Sequence, residues 1–235
     1  PNTISIYDYG RTPEGTLYYV MEYLEGRSLD EIVASEGPLP AARVIHVLRQ
    51  VCAALREAHG RGLVHRDIKP HNLMLCQRGG EYDVVKILDF GLVKDLTSAQ
   101  SRNITQFQRV VGTPAYMAPE RIRNAADADN RSDIYSVGAT AFHLLSGHPP
   151  YEAAGEHDLT YRIFHAPLPS LLAVAPGTPA RLAELVTRCL ARERSERPHD
   201  IVVLLAALEA LAVAHPWTQR DAAACRAGDS ARAAS

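Results

Sequence analysis

Lysine and long apolar runs are scarce in this sequence. Only three of its 235 residues are lysine, at positions 69, 86 and 94, although Lys and Arg together number 25 and the formal net charge is −2. A near-neutral chain without a basic run gives no sign of a nucleic-acid-binding surface. No stretch reaches the ~18–20 consecutive apolar residues of a membrane-spanning helix. The longest candidate, residues 200–216, is interrupted by Glu209, so we expect a buried helix there and no membrane segment in this chain.

Cysteine is also scarce, and it follows no pattern. The cysteines at positions 52, 76, 189 and 225 form no CxxC pair and no metal-ligand spacing. Three of them lie in apolar surroundings and are interpreted as small core residues. Because nothing resembles a disulfide framework, a reducing compartment fits best. We expect a cytoplasmic domain, whether or not its parent protein is anchored in a membrane.

The residues that are present predict an α+β fold with a small strand-rich start and a large helical body. β-branched and aromatic residues in 3–10 and 15–24 favour a hairpin of two strands. Ser28, with Glu31 three residues later, indicates a capping-box helix start. Apolar residues at helical spacing predict further helices within 38–62, 132–147 (capped by Ser132), 178–198 and 200–216.

Two segments lack such a pattern. Residues 92–118 are mostly polar, and a connection of that length is usually functional or mobile. From about residue 217 the chain is mainly Ala, Arg and Ser without an apolar face. We therefore expect residues 1–213 to form one domain and residues 214–235 to be a flexible tail or the start of a linker.

Three short motifs carry the chemistry. Residues 65–72 read HRDIKPHN, residues 89–91 read DFG after an apolar strand pattern, and residues 112–120 read GTPAYMAPE. DFG and the final APE are weak signals alone, but the three motifs in this order are highly specific. Together they resemble the signature of eukaryotic-type protein kinases. Over residues 1–213 the chain looks like a member of the bacterial branch of serine/threonine kinases, because Lys69 and Thr113 are typical of Ser/Thr-specific members.

The resemblance implies a protein-kinase-like fold, with a mostly helical C-terminal lobe and a remnant of the β-rich N-terminal lobe. Its implied function is transfer of the ATP γ-phosphate to protein Ser/Thr hydroxyls, a reaction that needs alignment, charge neutralisation and a proton acceptor. The proton acceptor is expected to be Asp67, and Lys69 is expected to spread the developing charge. Asn72 and Asp89 supply the hard oxygens that Mg²⁺ prefers. ATP and Mg²⁺ are therefore the expected ligands.

The resemblance also places the adenine on the strand that contains residues 17–26. Met21 is expected to control the depth of the pocket, and the backbone of Glu22 and Leu24 to face the adenine edge. Met74 is the expected apolar floor, a role that is compatible with ordinary core packing.

Other residues are implied to regulate or support the site. Arg66 is expected to receive a phosphate carried on the polar segment, where Thr105 is the first candidate and Ser98 and Ser101 are alternatives. Thr113 is expected to bridge Asp67 and Lys69. Supporting roles fall to a further set of residues: His65 packs near Phe90, Asp133 lies on the helix that anchors the catalytic loop, and Glu120 pairs with Arg197.

The sequence departs from the family at its start. It has no GxGxxGxV loop, and no lysine precedes Lys69, so the glycine-rich loop, the ATP-clamping strand lysine and the glutamate-bearing C-helix are all absent. Because the first residue is Pro1 rather than methionine, we expect an N-terminally truncated fragment. We expect this chain to be inactive or nearly so, and its first strands to expose surfaces made for absent partners.

Two other functions remain open. A pseudokinase or scaffold would bind partners without turnover, but it would not need Asp67, Asn72 and Asp89 together. A small-molecule phosphotransferase can share a similar aspartate and asparagine, but the GTPAYMAPE segment resembles the platform on which protein kinases hold peptides. Protein substrates are therefore the expected partners.

Overall fold

The computed structural model describes residues 2–14, 16–88 and 114–233. The predicted site residues Asp89, Phe90, Thr105 and Thr113 lie outside these ranges, as do Ser98 and Ser101.

Two small sheets come first. Strands β1 (Ile6–Arg11) and β2 (Leu17–Met21) form the predicted antiparallel hairpin. Strands β3 (Gly26–Ser28), β4 (Leu73–Arg78) and β5 (Glu81–Ile87) form a second antiparallel sheet in the order β3-β4-β5. Thr3 also bridges Ile87 in parallel, so the start of the chain lies along β5.

The helices form the larger part of the molecule. In chain order they are α1 (Leu29–Glu36), α2 (Ala41–Gly60), α3 (Pro119–Arg123), α4 (Asn130–Ser146), α5 (Glu156–His165), α6 (Leu171–Val174), α7 (Ala180–Cys189), α8 (Ile201–Ala214) and α9 (Gln219–Ala233). Helix α1 begins with the predicted capping box of Ser28 and Glu31. Helix α4 begins earlier than predicted, because its N-cap is Asp129 and Ser132 occupies the third helical position of the capping box.

The core lies between the long helices. Helix α2 packs against α8 and β5, and α4 packs against α7 and α2. Every residue of α4 from Ser132 to Leu145 is buried, as expected of a mostly apolar helix that lies within the core. Residues 65–72, the predicted catalytic loop, run between the end of α2 and the start of β4, and their turn Pro70–Asn72 contacts α4.

The β1–β2 hairpin is exposed. Tyr7 and Tyr9 are 69% and 64% exposed, and Ile6, Tyr18 and Val20 each expose at least 42% of their surface. Exposed aromatic and aliphatic residues grouped on one hairpin are typical of an interaction surface.

The C-terminal segment differs from the expected flexible tail. Residues Gln219–Ala233 form helix α9, and Ala222 is fully buried. The Gln219 side chain accepts a hydrogen bond from Tyr82 N (2.6 Å) and donates to Tyr82 O (3.2 Å), so it continues the edge of strand β5. This docking was not expected because the segment has no apolar face in sequence, and the contacts of Gln219 with Tyr82 are polar.

A buried charge centre anchors the same segment. Arg43 donates from Nε and Nη2 to the two carboxylate oxygens of Asp83, both at 2.9 Å. The indole Nε1 of Trp217 donates to Asp83 Oδ2 at 3.0 Å, and the Arg43 guanidinium lies 5.8 Å from the centroid of the indole ring. Burial alone would lower the pKa of Arg43, but its hydrogen bonds to Asp83 and the negative charge of that carboxylate outweigh burial and raise the pKa.

No single helix in the described ranges has the length and apolar character needed to span a membrane. Helices Ile201–Ala214 and Gln219–Arg226 meet that standard only when they are taken together, and they are bent by 83°.

Trp217→Phe should lower the free energy of unfolding by about 1–2 kcal/mol, because the variant removes a hydrogen bond to a buried carboxylate that Arg43 still neutralises. Urea unfolding followed by circular dichroism measures the change. Val213→Ala is the control, since Val213 is 85% exposed and should change the value by less than about 0.5 kcal/mol. Equal effects of the two variants would show that Trp217 does not anchor the segment.

Candidate active site

Three predicted catalytic residues meet in one hydrogen-bonded group. Lys69 Nζ lies 3.1 Å from Asp67 Oδ2, and Asn72 Nδ2 lies 3.0 Å from the same oxygen. Asn72 Nδ2 also donates to the backbone oxygen of Asp67 at 2.8 Å. The Asp67 carboxylate is thus held from two sides, while its side chain remains 28% exposed and accessible to a substrate.

The orientation of Asn72 suits a cation. Both N–H groups of its amide donate to Asp67. The amide oxygen Oδ1 is therefore the atom of Asn72 that could bind a cation. Pro70 begins the short 3₁₀ turn Pro70–Asn72 that places this side chain. An amide oxygen is a suitable ligand for Mg²⁺, which keeps few protein ligands and several waters. The second predicted ligand, Asp89, lies outside the described residues, and within them no three His, Cys, Asp or Glu side chains form a metal cluster.

Asp133 holds the backbone of the loop. Its Oδ2 accepts hydrogen bonds from His65 N (2.8 Å) and from His59 Nε2 (2.9 Å), and its Oδ1 accepts one from Arg66 N (2.8 Å). Arg66 has φ = 70°, a left-handed conformation that is strained for a residue with a Cβ. Arg121 donates to the Arg66 carbonyl. The strained peptide is therefore fixed at both its N–H and its C=O.

Sequence reasoning missed two members of this network. His59 is a lone histidine at the end of a helix, and Arg121 follows the APE motif. Neither position carries a local signal of its role, because each acts on a segment that is distant in sequence.

His65 is fully buried, and both nitrogens of its ring are hydrogen-bonded to backbone atoms. Its Nδ1 accepts a hydrogen bond from Asp67 N at 3.2 Å, and its Nε2 lies 3.1 Å from the carbonyl oxygen of Leu88. An Nδ1 that accepts requires the proton on Nε2, which then donates to Leu88. His65 therefore connects the catalytic loop to the residue that follows β5, and it is not placed as a general base.

Glu120 and Arg197 contact each other in a two-pronged ion pair. Arg197 Nη1 lies 2.8 Å from Glu120 Oε1, and Nη2 lies 2.9 Å from Oε2. Ser132 Oγ donates to Glu120 Oε1 at 2.8 Å, and the Arg197 guanidinium lies 5.0 Å from the ring centroid of Tyr135. Burial would raise the pKa of Glu120, but Arg197 outweighs it and lowers the pKa. The pair joins the end of the third motif to the segment before α8.

The predicted adenine residues lie along the end of β2. Met21 is exposed, Leu24 is half-buried, and Met74 is half-buried on β4 opposite Ser28 and Lys86. Glu22 is buried, and its carboxylate accepts hydrogen bonds. The resemblance predicted a role for the backbone of Glu22 but none for its side chain. Glu22 Oε1 accepts from Lys86 Nζ (2.7 Å) and Ser5 N (2.9 Å), and Oε2 accepts from Arg78 Nη1 (2.6 Å).

These bonds control the charge of Glu22. Burial alone would raise the pKa of its carboxyl group, but the hydrogen bonds from Lys86, Ser5 and Arg78 outweigh burial and lower the pKa to about 2.

The helical body, the small sheets and the catalytic loop together define a protein-kinase-like fold. The model of the family "Protein kinase domain" matches residues 1–218. The chain therefore belongs to the protein kinase domain family.

The curated relatives are bacterial. The chain is 39% identical over 209 residues to "Serine/threonine-protein kinase PknL" of Mycobacterium tuberculosis, which covers 89% of this chain and 50% of that protein. It is 36% identical over 215 residues to "Serine/threonine-protein kinase pkn3" of Myxococcus xanthus, and this match covers 90% of this chain and 39% of that protein. Among solved structures, Rad53 residues 1–466 in complex with AMP-PNP has a TM-score of 0.71 and 26% identity, and the match covers 92% of this chain and 50% of that one. The chain thus spans half or less of the length of these two curated relatives.

Arg197→Met should lower the free energy of unfolding by about 3–5 kcal/mol, because it leaves the buried Glu120 carboxylate without its cation. Arg194→Met is the matched control. Arg194 pairs with Asp129 at 3.2 Å, but both side chains are about one-third exposed, so the control should lose less than about 1 kcal/mol. Chemical denaturation measures the free energy of unfolding of both variants. Equal losses in the two variants would show that the Glu120–Arg197 pair is not needed for stability.

Glu22→Gln should make the protein less sensitive to acid. The folded-state pKa of Glu22 is about 2, below its ordinary value of 4.5, so the carboxylate stabilises the folded state fully above pH 4.5 and loses that effect as the pH falls towards 2. The wild-type and Glu22→Gln unfolding free energies should therefore converge between pH 4.5 and 2.

Urea titrations at a series of pH values measure this convergence. Glu57→Gln serves as the control, because Glu57 is exposed and pairs with the exposed Arg61 directly after its helix. A constant difference between wild type and Glu22→Gln across the range would show that the Glu22 pKa is not lowered by folding.

Proposed function

We propose that this chain is the larger part of the catalytic domain of a serine/threonine protein kinase, which transfers the ATP γ-phosphate to Ser/Thr hydroxyls of proteins. The observation that supports this most directly is the group formed by Asp67, Lys69 and Asn72, in which a carboxylate, an ammonium and an amide lie within hydrogen-bond distance. Membership of the protein kinase family and the names of the bacterial relatives support the same function.

The proposed reaction uses the residues of the loop as follows. Asp67 accepts a hydrogen bond from the substrate hydroxyl, aims its oxygen at the γ-phosphorus and finally takes its proton. Lys69, held beside Asp67, spreads the charge that develops on the transferred phosphoryl group. Asn72 Oδ1 and Asp89 would hold Mg²⁺, which when bound neutralises charge on the phosphates. ATP is the substrate, with its adenine along residues 21–24 and above Met74.

A protein substrate is favoured by the surroundings of residues 114–120. Tyr116 in the third motif is buried, its hydroxyl lies 2.5 Å from His143 Nδ1, and its carbonyl accepts a hydrogen bond from Ser136 Oγ at 2.8 Å. Both partners lie on α4, so this segment rests on the most buried helix. A rigid surface beside the catalytic loop suits an extended peptide better than a small alcohol.

Regulation by phosphorylation is a further part of the proposal. Arg66 precedes Asp67 in the strained turn, and a phosphate on Thr105 would add charge for its guanidinium to bind. Thr113 is proposed to bridge Asp67 and Lys69.

We propose that the 235-residue chain alone is catalytically inactive or nearly so. Of its three lysines, Lys69 is bonded to Asp67 and Lys86 to Glu22 and the Thr3 carbonyl, while Lys94 follows the DFG motif in sequence. Lys69 and Lys86 are thus bonded within the chain, and no lysine precedes Lys69 that could serve as the ATP-clamping strand lysine. A β-rich lobe with a glycine-rich loop and a lysine would supply the clamp.

Transfer of radiolabelled phosphate from ATP to a generic basic protein tests the function. The chain alone should incorporate no more phosphate than its Asp67→Asn variant. A fusion behind the N-terminal lobe of PknL should gain activity, and Asp67→Asn in that fusion should remove at least about 10³-fold of it, since alignment of the nucleophile and its proton acceptor are lost together.

Three outcomes would contradict the proposal. Activity of the chain alone that Asp67→Asn abolishes would refute the inactivity. A correctly folded fusion that binds protein partners without turnover would favour the scaffold. Phosphorylation of aminoglycoside-like or choline-like alcohols, with none of protein, would favour the small-molecule phosphotransferase.

A further inference from the structure

Lys86 is a buried cation that the proposed phosphoryl transfer does not use. Its side chain is 4% exposed, and its Nζ lies 2.7 Å from Glu22 Oε1 and 3.0 Å from the carbonyl oxygen of Thr3. A buried ammonium is costly unless it is paired and fully hydrogen-bonded. The two contacts therefore fix Lys86 relative to two other parts of the chain.

The partner carboxylate lies at the start of the predicted adenine segment. Glu22 directly follows β2, and its backbone N–H donates to the Ser5 carbonyl at 2.9 Å. Its carboxylate in turn accepts from the Ser5 N–H at 2.9 Å. The backbone and the side chain of Glu22 are thus both tied to Ser5, so a movement of the adenine segment would also move the oxygen that binds Lys86.

Lys86 lies on the strand that leads into the predicted metal site. Met74, the predicted adenine floor, is directly opposite Lys86 in the β4–β5 pair, and opposite residues of an antiparallel pair have their side chains on the same face. Two residues further on, Leu88 N donates to the Asn72 carbonyl at 2.9 Å. Strand β5 therefore connects Lys86 with the residue that closes the catalytic loop.

We propose that the Glu22–Lys86 ion pair is a positioning element for the nucleotide, which fixes the base-binding segment relative to the Asn72 end of the catalytic loop. Neither side chain is assigned a contact with the nucleotide, so both are positioning residues. The identity of the ligand rests on the proposed function, whereas the link between the two segments rests on the contacts described above.

Arg78 provides a matched control. It binds the other oxygen of the same carboxylate at 2.6 Å, but its side chain is 54% exposed and it lies near the turn at the far end of the β4–β5 hairpin. If net charge near Glu22 were the only requirement, removal of Arg78 and removal of Lys86 would have similar effects.

Hydrogen exchange followed by mass spectrometry tests the link in the full chain. Lys86→Met should speed exchange of the amides in residues 20–26 at least about tenfold, because the segment opens locally when its buried tie is lost, while Arg78→Met should change it by less than about twofold. The double variant Glu22→Gln/Lys86→Met should exchange more slowly than Lys86→Met, since it also removes the buried carboxylate that Lys86→Met leaves with the exposed Arg78 as its remaining cation. Unchanged exchange in Lys86→Met, equal effects of the two single variants, or a double variant worse than Lys86→Met would overturn the proposal.

Calorimetric titration with Mg·ADP tests the link to the nucleotide. If the wild-type chain binds it, Lys86→Met should weaken binding at least about fivefold and Arg78→Met by less than about twofold. Equal affinity of wild type and Lys86→Met would overturn the proposal. No binding to wild type would overturn the role toward the nucleotide in this chain, and the expected exchange pattern would then support only the link between the segments.

Discussion

The carboxylate of Asp133 is the interaction on which the catalytic loop depends. It receives three N–H donors, two from the backbone of His65 and Arg66 and one from the side chain of His59. It lies on α4, which the core encloses, so the loop takes its position from the least movable part of the molecule. Arg66 can keep its left-handed conformation because Asp133 binds its N–H and Arg121 binds its carbonyl oxygen. The direction of the Asp67 side chain follows from that turn.

Buried ion pairs repeat this logic elsewhere. Arg197 with Glu120, Arg43 with Asp83 and Lys86 with Glu22 each join segments that are at least 40 residues apart. Such pairs add little net stability over apolar packing, but they penalise every arrangement in which one partner is left alone. In this chain they define which segments meet, while the aliphatic core of α2, α4 and α8 supplies the favourable burial.

Local patterns were sufficient for much of the fold. The Ser28–Glu31 capping box, the long helix Ala41–Gly60 and the first hairpin follow from residues that are close in sequence. The kinase motifs indicated the loop at 65–72, whose residues the structure brings together. The docked helix Gln219–Ala233, the roles of His59 and Arg121, and the bonded carboxylate of Glu22 could not be predicted, because each depends on a partner that is distant in sequence and leaves no periodic trace.

Trp217 is the only tryptophan of the chain, and it lies where the C-terminal helix joins the charge centre of Arg43 and Asp83. Its fluorescence therefore comes from a single, defined junction, without background from other indoles. An indole held against a carboxylate and a guanidinium emits differently from one in water, so the spectrum reports whether the last helix is attached. The protein thus carries a built-in optical probe of its own C-terminal docking, and it needs no added label.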